Sequence, residues 1–144
     1  MFIFGIVAIN DLDRAGESFS ISGIDARELR GAHIRWNLNR PYDIESVIGV
    51  VADYTIVFTG DDIEAPDEYK VWEGSGKHPC VMVRATVFDA HIEKALRSRL
   101  PLYFAVEGTV LERENANLVK TKLHGLALTV HPAHQAYRVY FYED

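Results

Sequence analysis

A mainly β chain with accessory helices (α+β), its strands curled into a closed or partly closed barrel, is the fold class this sequence predicts. Three observations predict it. Apolar β-formers recur in six runs, short Gly, Pro, Asn and Asp clusters punctuate them, and the last run alternates with a period of two residues. A barrel of about six or seven strands with helices outside uses all of these runs and hides most sheet edges.

The elements follow in chain order. Phe2 to Ile9 reads as a buried first strand, stopped by the polar Asn10-Asp11-Leu12-Asp13-Arg14. It has no basic leader and is too short to cross a bilayer, so a membrane role is not expected. Further strands are expected over Ser46 to Thr59, Cys80 to Phe88, Pro101 to Leu111, Val119 to Val130 and Ala136 to Tyr142. In the last, Tyr137, Val139 and Phe141 alternate with Arg138, Tyr140 and Tyr142, as on a strand with one buried face.

Two helices are expected. Asp89 is placed to cap a helix over Ala90 to Leu100, where Ile92, Ala95, Leu96 and Arg99 recur at helical spacing, and Pro66 opens a shorter one over Asp67 to Glu73. The acidic stretch Asp61 to Glu68 and the loop Glu73-Gly74-Ser75-Gly76-Lys77 read as surface links.

The 144 residues suit one domain spanning 1–144, without repeat or low-complexity tract. Hydrophobic residues form 48% and charged residues 25% of the chain, which fits a packed core rather than wholesale disorder. A net charge of −6 disfavours a general nucleic-acid binder, which needs clustered cations against phosphate. One cysteine, Cys80, rules out an internal disulfide, permits an intracellular setting and reads as a small apolar core group.

Other constellations carry little chemistry. His131-Pro132-Ala133-His134, with His124 upstream, brings imidazoles together, but no Cys pair or His-Glu-x-x-His accompanies them, so exposed turn histidines are expected and no metal or cofactor. Gly74 to His78 lacks phosphate-loop spacing. Asp61, Asp62 and Glu64 lack the calcium-loop pattern and read as a solvated turn, with a basic protein partner as the alternative. Trp36 is expected in the core, and Tyr140 and Tyr142 at an interface.

Several landmarks, read in order, resemble the prohead (capsid maturation) serine proteases of tailed phages, whose fold is similar to herpesvirus assemblin. Asp13-Arg14-Ala15-Gly16-Glu17 resembles the family's Asp-x-x-Gly-Asp turn. Ile34-Arg35-Trp36-Asn37-Leu38-Asn39 and Ile48-Gly49-Val50-Val51 are similar to its Trp-x-His and Ile-Gly-x-Val pieces. Tyr69-Lys70-Val71-Trp72-Glu73 and Val81 to Asp89 resemble an insert and a strand ending in Phe-Asp. Phe104-Ala105-Val106-Glu107-Gly108 resembles the Gly-Phe-Ser-Val-Glu-Gly strand, and Val119 to Pro132 the strand ending in Thr-x-x-Pro.

The resemblance implies a serine nucleophile, a histidine base and a third polar group orienting it. It places Ala105 at the nucleophile, Leu38 at the base and His131 at the third position; a shift of register in the preceding loop would bring His33 in as an alternative base. A methyl cannot attack a carbonyl, and Leu cannot accept a proton.

The expectation is therefore a catalytically inactive relative, binding phage capsid or scaffold proteins in the bacterial host cytoplasm during assembly or in the virion capsid. It allows for a homo-oligomer. One alternative is an active-family endopeptidase held as a Ser-to-Ala variant at Ala105. Another is an unrelated β-barrel binding domain.

Overall fold

The structure, a computed structural model, describes residues 1–37, 46–58 and 78–142. Among them are nine strands: β1 (Phe2–Ile9), β2 (Ser18–Phe19), β3 (Ile24–Asp25), β4 (His33–Trp36), β5 (Val47–Val57), β6 (Cys80–Val87), β7 (Tyr103–Glu114), β8 (Asn117–Thr129) and β9 (Tyr140–Phe141). One α-helix, α1 (Ala90–Arg97), lies between β6 and β7. No helix among the described residues is long and apolar enough to cross a membrane. The chain is mostly β, and its mixed sheet curls into a half-barrel.

The longest strand, β8, organises the sheet. Its hairpin partner β7 lies antiparallel along one edge, from Tyr103 opposite Thr129 to Glu114 opposite Asn117. Along the other edge run three short parallel strands in succession: Ser18 meets Asn117, Ile24 meets Thr121 and Ile34 meets Leu126. From β4 the sheet continues antiparallel through β5 and β6 to β1, and then to β9.

The sheet also bends back on itself. Tyr103 of β7 bridges to Arg138, Val139 N–H donates to Leu102 O at 2.8 Å, and the next two residues form β9 on β1. One short strip thus ties β7 to β1. Gly5 sits at this seam, where an added Cβ would stand 2.7 Å from Arg138 O and 2.8 Å from Phe104 Cε2.

The core fills the inside of the curl. Ile3, Val7, Ile34, Val51, Val81, Phe104, Leu123, Leu126 and Leu128 are essentially inaccessible, and Cys80 is buried among them as expected. Trp36 is half-buried, packed against this core from its margin.

The helix begins as expected and stops sooner. Asp89 caps it, its side chain accepting from the His91 and Ile92 N–H groups, while Ile92 and Leu96 face the core. The helix closes at Arg97 rather than Leu100, because Arg99 takes a left-handed backbone, φ 63°, that ends the regular ladder. The expected helix over Asp67 to Glu73 and both surface links around it lie outside the described residues.

The C-terminal strand is the clearest correction. The regular strand is reduced to Tyr140–Phe141, with an isolated bridge at Arg138; Gln135–Tyr137 instead forms a 3-10 turn, capped by the His134 side chain accepting from Ala136 N–H. Capping of local N–H groups competes with strand pairing, and here it prevails.

Candidate functional site

Across β7, β8 and β4 the register builds a compact row. Ala105 lies opposite Ala127, and Arg35 lies opposite the same Ala127 from the other side. Two residues along, Glu107 lies opposite Gly125. Paired residues project to one face of a sheet and alternate along each strand. Phe104, Leu126, Leu128 and Ile34 take the core face, so Ala105, Ala127, Arg35, Glu107 and Gly125 share the outer one.

An ion pair between Arg35 and Glu107 crosses this face diagonally over β8, with 11% of the Arg35 and 27% of the Glu107 side chain exposed. Gly125 makes room beneath it: a Cβ there would stand 3.0 Å from Glu107 Oε2. Sequence reading singled out neither charge as a site residue. The signal available was a polar position inside each of two apolar strands.

The positions implied by the resemblance fall as follows. Ala105 is half-buried near the start of β7, and its row holds hydrocarbon and guanidinium. His33 is exposed on β4, two residues before Arg35, and therefore on the same face. His131 is exposed two residues beyond the end of β8, its backbone N–H donating to Thr129 Oγ1 at 3.1 Å. Leu38 lies outside the described residues. The fold thus gathers Ala105, His33, Arg35 and Glu107 on one face and sets His131 past its end.

Among the described hydroxyls at this end of β7 and β8, Thr129 accepts the His131 N–H and Tyr103 lies 3.4 Å from Gln135 Oε1. As a directly opposed pair two residues from Ala105 and Ala127, Tyr103 and Thr129 fall on the same face as that row. Within the row Ala127 and Gly125 are buried and Arg35 is 9% exposed, while Ala105 and Glu107 are half-buried.

The other histidines separate. His124 is exposed in mid-strand on β8, not in a turn. His134 departs from the expected exposed turn residue: its side chain is 12% exposed, Nδ1 accepts Ala136 N–H at 2.9 Å, and Nε2 lies 2.9 Å from Asp11 Oδ2. With Nδ1 as acceptor, Nε2 carries the hydrogen and donates it to the carboxylate. That bond holds the Asp11 carboxyl below its usual range. His78 lies farther from the same oxygen, at 3.9 Å. Among the described residues, no group of three or more His, Cys, Asp or Glu side chains assembles to hold a metal.

No protein-family model, curated protein or solved structure matches the chain.

Proposed function

We propose that this protein is a prohead-protease-like domain without proteolytic activity, kept as a binding or structural module for phage capsid or scaffold proteins. In this reading the half-barrel is of the prohead protease and assemblin kind. The module acts in the host cytoplasm during head assembly or on the capsid.

One observation carries the proposal. The strand that resembles the nucleophile strand presents a methyl, Ala105, in a row with Ala127 and Arg35. Loss of the nucleophile costs on the order of a millionfold in turnover where catalytic groups act as a unit, while a binding surface survives it.

The test is incubation with purified capsid or scaffold protein of a tailed phage, reading cleavage by gel and association by co-sedimentation. Association without cleavage is the expected result, for this chain and for Ala105→Ser alike. Processing by Ala105→Ser would instead establish an endopeptidase seen as its serine-less variant. Absence of association with head proteins would leave an unrelated β-barrel binding domain.

A further inference from the structure

At the end of α1 the structure forms a cleft of about 170 Å³ lined by Leu96, Arg99, Leu100, Arg138, Val139 and Tyr140, with Phe141 beside them. This volume accommodates one side chain rather than a cofactor-sized ligand. Its chemistry runs against that of the molecule. Two guanidinium-bearing residues border an apolar floor in a chain whose net charge is −6. Arg138 takes part in no ion pair among the described residues. Lys94 and Arg97, in the last turn of α1, offset the negative end of the helix dipole that would otherwise repel an anion.

The cleft is continuous with an aromatic surface. Tyr140 lines the cleft and also stacks on Phe4, with ring centroids 5.6 Å apart and an interplanar angle of 22°. Phe4 in turn meets Tyr142 at 4.8 Å. Phe2, Leu100 and Tyr142 are 64%, 48% and 38% exposed around it. Arginine and aromatic side chains flanking a small apolar recess are the components that recur at the centres of protein interfaces.

We infer that this cleft and its aromatic margin form a docking surface for an acidic polypeptide segment in which a carboxylate residue adjoins an apolar one. The apolar side chain enters the cleft and the carboxylate meets Arg138. Charge complementarity selects that occupant. A nucleic acid is disfavoured, because a chain of net charge −6 with a cleft for a single group supplies few phosphate contacts. The inference rests on the cleft alone and is independent of the protease resemblance.

Fluorescence anisotropy with three labelled probes tests it: a peptide repeating Glu-Phe-Asp, its neutral counterpart repeating Gln-Phe-Asn, and an oligothymidylate. The acidic peptide is expected to bind at least about tenfold more tightly than either other probe and to weaken with added salt. Arg138→Gln is expected to lose about tenfold. Leu100→Glu, at a half-exposed position, is expected to lose as much while leaving the circular dichroism spectrum unchanged. Equal binding of the neutral peptide, tighter binding of the oligonucleotide, no saturable binding, or full affinity in a folded Arg138→Gln protein would each overturn the inference. Head-protein association that persists in Arg138→Gln would still support the proposed function, so the two readings fail separately.

Discussion

Arg35 and Glu107 show what single side chains contribute here. A guanidinium withdrawn from water needs its counter-charge, and removing one partner of a buried pair is more damaging than replacing both. Glu107→Ala is expected to cost about 3 kcal/mol in urea unfolding, whereas the double change Arg35→Met with Glu107→Leu should lie closer to the parent. A Glu107→Ala protein of parental stability would show that the pair is solvated. Cys80 belongs to the same scale: burial pushes its thiol up to about 12. At pH 8 it should resist a thiol reagent in the folded protein and react once urea unfolds the chain, as read by mass spectrometry. This residue's place in the core was legible from its apolar surroundings, Pro79 excepted. The Arg35–Glu107 pair was not, since it joins residues far apart in sequence through the register of β8.

At the scale of elements, α1 and the seam beside β1 respond to different physics. Asp89 satisfies two otherwise unpaired N–H groups, so Asp89→Ala should lower stability by about 1 kcal/mol, measured by urea midpoint. Gly5 answers to close approach: its missing Cβ admits Arg138 O and the Phe104 ring. Gly5→Ala is expected to cost about 1 to 3 kcal/mol and to speed amide exchange at Val139, whose N–H closes the seam. Exchange unchanged at Val139 would mean the seam accommodates a methyl. Farther along the sheet, Val110 and Leu111 of β7 are exposed, but the register slips at Glu107/Gly108, Val110/Glu112 and Glu112/Arg113. Such irregularities, with charged neighbours, blunt an edge against pairing with other chains.

Across the whole molecule, acid sensitivity follows from carboxylates held by cations and N–H groups. A hydrogen bond from Arg27 brings Asp25 down to about 2; Arg30 lowers Asp53, and His134 lowers Asp11. Each carboxyl has a lower folded than unfolded pKa, so its contribution is present above the ordinary carboxylate range near pH 4 and is lost as pH falls toward about 2. The urea midpoint should therefore decline through that window, and Asp25→Asn should make the decline shallower. The three residues are partly exposed, so each contribution is small.

The sequence by itself determined the predominance of strands, most of their positions, the Asp89 cap and the burial of Cys80. Each is written in a local signal, a two-residue alternation or a side chain reaching its own neighbours' N–H groups. Only the tertiary structure decided the rest. The strands β2 and β3, two residues each, show no periodicity and exist because β8 offers them an edge. The expected C-terminal strand shrank to Tyr140–Phe141 because His134, held by Asp11 from across the chain, caps a turn in its place. The Ala105 row and the Arg138 cleft are likewise products of pairing at long sequence separation, where one step of register moves every side chain to the opposite face.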